Sequence, residues 1–210
     1  MTAGLESTGS TWRKVVFSID WPQGKPPLQH MDLLLAHRVI WPVLAQHEKH
    51  VQLWKFHRRW KRDESGHQFE FSFYSSAQTA RQIHDSVFLD QHYMELKRAG
   101  RVGASYDETI GSRIEDICPT NWPPEIRRSW PYFIMGVSRM WVTLIEQIMK
   151  SRTVDESPSI AEWEATCQKV DGLIGRLWLH QERDSRLWWG FGPLQARFEA
   201  SGRCQTAPMK

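Results

Sequence analysis

The sequence predicts an α+β fold, an antiparallel sheet built in the order β-α-β-β-α-β and followed by a helical C-terminal part. Three observations carry this. Apolar residues alternate at period two over residues 12–20, 51–61 and 67–75, which is the spacing of a half-buried strand. Residues 31–46 and 77–99 instead repeat apolar side chains at helical spacing. Beyond residue 119 only the helical spacing returns. With 210 residues, the chain can bury a core of this kind.

Residues 1–11, rich in Gly, Ser and Thr, are expected to be a disordered tail. The first strand sets Val15, Phe17 and Ile19 against Lys14, Val16 and Ser18, and Trp21-Pro22-Gln23-Gly24-Lys25-Pro26-Pro27 ends it as a loop. The first helix carries Leu34, Leu35, Val39, Ile40, Val43 and Leu44 on one side. Asp32 near its start suits the helix dipole, and Pro42 should kink or divide it. The next two strands form a hairpin around the turn Asp63-Glu64-Ser65-Gly66. A helix over residues 77–99 then buries Ala80, Ile83, Val87 and Phe88 and closes on Lys97, Arg98 and Gly100. A short strand over residues 101–106 completes the split βαβ order called ferredoxin-like.

This α+β part is assigned to residues 12–118, with a helical part over 119–210 packed on it as one compact domain. Residues 119–129 read as a connector, and Trp130-Pro131 opens a helix through Phe133, Val137, Trp141, Leu144, Ile145 and Ile148. Ser159 with Glu162 forms a capping box ahead of Trp163, Val170 and Leu173. Residues 187–194, aromatic and glycine-rich, read as a strap packed on the helices or as a segment that closes over a site.

A net charge of +3 gives little long-range attraction to nucleic acid or anionic lipid. Cys118, Cys167 and Cys204 are scattered, so a reducing cytoplasm is expected, with no disulfide framework and Cys167 in the core. No signal peptide is read at the N-terminus, and Arg139 and Glu146 make residues 132–149 a buried amphipathic helix, not a membrane span. Phosphate-cradling and nucleophile-elbow motifs are missing, so no cofactor is expected. His30, His37, His47 and His50 lack the acidic partner of a metal motif and are read as surface residues, while Glu115-Asp116 is read as solvated, so no metal is expected either.

The twelve tryptophans imply either an aromatic core or an aromatic binding surface. In the hairpin, period two gathers Trp54, Phe56, Arg58 and Trp60 with His67, Phe69, Phe71 and Phe73, and places Lys55, His57, Arg59, Gln68, Glu70, Ser72 and Tyr74 opposite. Glu70 is placed to pair with Lys55 or Arg59 across the strands. Arg58 is the misfit of the apolar face. A buried guanidinium must reach a carboxylate, a carbonyl row, an aromatic face or a bound anion. It is therefore either an arginine stacked on Trp54 or Trp60 with its head in water, or the anchor of an anion or carbonyl in an aromatic pocket.

Taken in order, Trp12-Arg13-Lys14-Val15-Val16-Phe17, Asp32-Leu33-Leu34-Leu35 with Trp41-Pro42-Val43-Leu44, Trp54-Lys55-Phe56-His57-Arg58 and Gly66-His67-Gln68-Phe69-Glu70-Phe71 resemble the thiopeptide-type biosynthesis domain. That domain is shared by the glutamate-elimination part of lantibiotic dehydratases and by the cyclases that form the pyridine ring of thiopeptides. The likeness covers residues 12–150, and Tyr106-Asp107-Glu108 with Gly111 is similar to a further family segment. The resemblance implies a lyase or cyclase that tailors a modified peptide or an amino-acid-derived substrate. Arg58 would polarise a carbonyl or hold a leaving group, and His67, His57 or Tyr74 would move a proton. Trp54, Phe56, Arg59, Trp60, Phe69, Phe71 and Tyr106 would bind substrate. Phe69 and Phe71 stand where the family carries arginines that bind a glutamylated peptide, and Arg59 replaces a tyrosine, so a less acidic substrate is expected.

Two other classes stay open. Phe69-Glu70-Phe71-Ser72-Phe73 looks superficially like the base-stacking strand of an RRM, although the glycines and basic start of that signature are missing and nucleic acid is not the expected partner. The aromatic sheet would also suit a non-catalytic subunit that docks on a protein of the same pathway or on a second copy of itself.

Overall fold

The computed structural model describes residues 9–151 and 159–184. Residues 1–8, 152–158 and 185–210, which include most of the expected tail and the whole 187–194 segment, lie outside the described residues. Strands β1 (Ser10–Ile19), β2 (Val51–Trp60), β3 (His67–Ser76) and β4 (Val102–Gly111) form one sheet in the order β2-β3-β1-β4. Each neighbouring pair is antiparallel, which is the ferredoxin-like arrangement predicted from the sequence. The last strand runs to Gly111, longer than the short strand expected there.

The first helical region is divided more deeply than a kink. Helix α1 (His30–Leu34) passes into a π-helical turn over Leu35–Ile40, then into α2 (Trp41–His47). Pro42 explains the widened turn: it has no N–H to offer the Arg38 carbonyl, and its ring crowds that carbonyl.

The single helix expected over residues 77–99 is two, α3 (Ala77–Phe88) and α4 (Gln91–Arg98). Asp90 takes an extended conformation and its side chain accepts from Tyr93 N at 3.0 Å, so an N-cap replaces helix continuity. At the far end Gly100, with φ at 68°, takes the left-handed position that closes α4.

Helix α5 (Pro124–Lys150) begins before Trp130, and Pro131 lies inside it. Pro131 leaves the Arg127 carbonyl without its helical donor, and the Cys118 thiol donates to that carbonyl at 3.6 Å. Ser138, Trp141, Val142, Ile145 and Met149 form the buried stripe of α5. The helix lies along the β2 edge, where Ser138 Oγ accepts from Phe56 N at 3.0 Å and satisfies an edge donor of the sheet.

Cross-strand register sorts the sheet into two layers. Val15, Phe17, Phe56, Phe69, Phe71 and Phe73 are buried on one face, and Phe17 meets Phe88 of α3 and Tyr93 of α4 there. The other face carries Lys14, Lys55, His57, Arg59, Glu70 and Ser72, with Trp12, Leu53 and Tyr74 gathered at one end beneath Ile114, Ile117 and Met135.

Helix α6 (Ile160–Asp184) starts from the expected box: Ser159 N donates to Glu162 at 2.7 Å, and Glu162 N donates to Ser159 Oγ at 3.4 Å. The chain divides into two compact units, Met1–Val170 and Asp171–Lys210. Within the first, Arg101 pairs with Glu164 at 2.7 Å, and Cys167 and Val170 are buried. Of the second unit, the described residues are the last part of α6. Among the described residues no helix is long and apolar enough to cross a membrane.

Candidate functional site

Arg58 resolves its misfit through a carboxylate, a carbonyl and two aromatic rings. Its Nε donates to Asp32 Oδ2 at 2.7 Å, its Nη2 donates to the Gln29 carbonyl at 3.1 Å, and its head lies 5.2 Å and 5.3 Å from the rings of Trp60 and Trp141. Asp32 in turn meets His67 Nε2 through Oδ1 at 2.9 Å. Helix α1 thus supplies the Asp32 carboxylate, on which strand β2 places an arginine and strand β3 a histidine.

Asp32 and His67 are fully buried at their side chains, while Arg58 is 24 % exposed. A buried carboxylate needs charge compensation, and Arg58 supplies it. Facing the Asp32 carboxylate, the imidazole is assigned as donating Nε2–H, a tautomer taken from these contacts. His67 Nδ1 is left as a buried nitrogen with no hydrogen-bond partner among the described residues. His37 and His92 likewise each have a buried Nδ1 without a hydrogen-bond partner among the described residues, so what distinguishes His67 is the Asp32 carboxylate at its other ring nitrogen.

Trp21 covers this histidine edge-on, with ring centres 6.4 Å apart. The loop that carries Trp21 is tied to the hairpin by Arg62, which stacks 3.8 Å over the indole and donates to the Lys25 carbonyl at 2.6 Å.

The structure brings Arg58, His67 and Trp60 together and separates the remaining candidates. Trp54, Phe56, Phe69 and Phe71 are buried, with Phe56 packed against Phe69, Phe71 and Trp141. His57, Arg59, Tyr74 and Tyr106 lie on the opposite face of the sheet and cannot share a ligand with Arg58 and His67 without crossing it. There Arg59 is engaged by Asp63 and the Gly66 carbonyl, and the Tyr74 hydroxyl donates to the Ser112 carbonyl at 2.7 Å. Tyr106 is exposed.

The opposite face is a charged network of its own. Lys55 pairs with Glu70 at 3.2 Å, Ser72 donates to the same carboxylate at 2.5 Å, and His57 stands 4.0 Å away. Burial alone would push the Glu70 carboxyl up, but Lys55, Ser72 and His57 outweigh it and hold it below the usual carboxylate range. Among the described residues no group of three or more His, Cys, Asp or Glu is placed to hold a metal ion.

No protein-family model matches the chain, and no curated protein matches it. Among solved structures the chain is similar to the crystal structure of TsrL. Identity is 13%, the TM-score is 0.41, and the match covers 68% of this chain and 37% of the TsrL chain.

Sequence reasoning missed Asp32, Trp141 and Trp21. For Asp32 a signal existed. It precedes Ala36, Val39 and Val43 at helical spacing and so belongs to the buried stripe of its own helix. An acid in an apolar helix stripe and an arginine in an apolar strand face are complementary misfits.

Proposed function

We propose that the chain is a tailoring enzyme of a peptide natural-product pathway, which binds a modified peptide over the Arg58–Asp32–His67 unit and promotes elimination or cyclisation. One observation carries the reading: His67 is held at Nε2 by Asp32 while its Nδ1 stays buried with no hydrogen-bond partner among the described residues. That is the arrangement of an oriented general base, in which the carboxylate fixes the tautomer and stabilises the imidazolium that forms.

In an elimination, His67 Nδ1 takes the proton from the α-carbon of an O-acylated serine. The α,β double bond forms as the bond from the β-carbon to oxygen breaks, and the acyl group departs as a carboxylate. The Arg58 charge, set between Trp60 and Trp141, lowers the energy of that departing anion. Displacement of Trp21 admits the substrate. The resemblance over residues 12–150 supports the substrate class, and Phe69 and Phe71 in place of family arginines favour a weakly acidic acyl group.

The test incubates the full chain with an O-acetylserine peptide and with a peptide bearing two dehydroalanines, and follows both by mass spectrometry. Loss of acetate or ring closure is expected, reduced about 100-fold or more in His67→Gln. Absence of both reactions, or unchanged turnover in a folded His67→Gln protein, would overturn the proposal.

A second reading, a non-catalytic partner subunit, has its own observation. Helix α5 exposes Ile126, Phe133 and Met140, one heptad apart, with Tyr132 beside them. A concentration-dependent change of mass in light scattering, lost in Met140→Glu, is its expected outcome.

A further inference from the structure

The loop over His67 is held to the hairpin through one residue. Arg62 stacks 3.8 Å over Trp21, and its Nη2 donates to the Lys25 carbonyl at 2.6 Å and, more weakly, to the Pro22 carbonyl at 3.4 Å. Trp21 Nε1 donates to that same Lys25 carbonyl at 2.9 Å, and Lys25 N donates to the Pro22 carbonyl at 3.2 Å. Gly24, with φ at 74°, takes the left-handed position inside this turn. The loop is thus a small ring closed on itself. Among the described residues, Arg62 is the only one outside residues 21–25 that hydrogen-bonds to them.

Arg62 differs from the arginines near it. Arg58 meets Asp32 and Arg59 meets Asp63, whereas no ion pair among the described residues includes Arg62, which is exposed. The acid next to it is taken, since Asp63 serves Arg59 and stands 3.9 Å from Lys61. Arg62 Nε and Nη1 have no hydrogen-bond partner among the described residues, so the planar fork is open to a carboxylate. A carboxylate competes well with what Arg62 now holds, because a charge-assisted bond is roughly twice as strong as a bond to a neutral carbonyl.

Trp21 stands 6.4 Å from His67 between ring centres, which puts the Arg62 guanidinium within about 10 Å of the His67 ring. An extended peptide covers ~3.3–3.6 Å per residue. Resting on the reading of His67 as the base, we propose that Arg62 is a specificity-determining residue, which binds a carboxylate carried by the peptide roughly one to three residues from the reacting serine. In turning to that carboxylate, Arg62 releases Trp21 from His67. The carboxylate belongs to an acidic side chain or to the C-terminus of the peptide, and it is distinct from the departing acyl group, which stays with Arg58. Recognition and the uncovering of His67 are then one event, because a ligand that binds the open loop better than the closed one shifts the population toward it.

NMR titration of the full chain at low ionic strength tests this with three peptides in which alanine replaces the reacting serine: N-acetyl-Ala-Gly-Asp amide, N-acetyl-Ala-Gly-Asn amide, and N-acetyl-Ala-Gly-Asn with a free C-terminal carboxylate. At least one of the two acids is expected to bind about threefold more tightly than the neutral amide, the worth of an exposed ion pair. It is also expected to shift the Trp21 indole N–H further than the neutral peptide does, and which acid does so names the source of the carboxylate. Arg62→Gln is expected to erase the difference between acid and amide. Equal affinities for the three peptides, no binding of either acid, a difference that persists in Arg62→Gln, or a Trp21 signal that the acids leave unmoved would each overturn the assignment. If Arg62→Gln fails to fold, the Trp21 signal in the unaltered chain still decides. None of the three peptides can react, so an inactive His67 and an idle Arg62 give different results.

Discussion

Asp32 accepts from two donors at once, Arg58 Nε at 2.7 Å and His67 Nε2 at 2.9 Å, with no exposed surface of its own. A carboxylate in that position is stable only while both donors remain, and each donor is stable only while the carboxylate does. Asp32→Ala is therefore expected to cost about 3–5 kcal/mol in urea unfolding, because it strands a partly buried guanidinium. The double replacement Asp32→Leu with Arg58→Met is expected to recover most of that loss, because an apolar pair of similar volume needs no desolvated charge. A double variant as unstable as the single one would show that packing, not charge, dominates the site. Arg58 was legible as a misfit from period two alone. Its partner was passed over although Asp32 falls in the buried stripe of its helix, because the helix dipole offered a local reason for an acid near that end.

At the scale of elements, proline and aspartate decided more than apolar spacing did. Residues 77–99 read as one helix because Ala80, Ile83, Val87 and Phe88 gather on one side and Lys97, Arg98 and Gly100 supply the ending. Asp90 interrupts that helix with a single cap bond to Tyr93 N. Asp90→Ala is expected to lower stability by about 1 kcal/mol, the ordinary worth of an N-cap, read as a shifted urea midpoint at constant slope. Pro131 misled in the opposite sense. Proline favours a first turn, yet here it lies inside α5, where Cys118 supplies the Arg127 carbonyl with a donor from outside the helix. The Trp21 loop gives a further test. Arg62→Ala removes its stack and its bond to Lys25, and is expected to speed diethylpyrocarbonate modification of His67 about tenfold if the loop screens that ring, since local opening sets the accessibility of buried groups.

For the whole molecule, the order β-α-β-β-α-β was legible because each element announces its own period, and the sheet order β2-β3-β1-β4 follows from short, right-handed connections. What shares a site was less legible. His57 and Tyr74 are close to Arg58 and His67 along the hairpin, yet period two places them through the sheet from that pair, while Asp32, Trp141 and Trp21 reach it from other elements. The burial of Phe69, Phe71 and Phe73 likewise leaves no exposed rings on that strand for base stacking.

A fold-wide consequence concerns acid stability. His37 is pushed down to about 4 by burial and by Arg38, with Glu146 opposing and Lys150 assisting. Its folded value lies below its unfolded one, so the unfolded chain takes up the proton first as pH falls. The stability that neutral His37 confers is present above about 6.5 and is lost as pH falls toward about 4, up to ~3 kcal/mol in all. Urea midpoints measured across that window should fall with pH, and His37→Gln should flatten the slope. An unchanged slope would remove His37 as its source.

The central claim is that Asp32 orients His67 and leaves Nδ1 as a proton acceptor. Nitrogen-15 NMR of the imidazole ring measures this directly by reporting which nitrogen carries the proton. An Nε2–H ring with an unprotonated Nδ1 at neutral pH is expected, with loss of that fixed tautomer in Asp32→Asn. A His67 ring protonated at Nδ1 in the unaltered chain would contradict it.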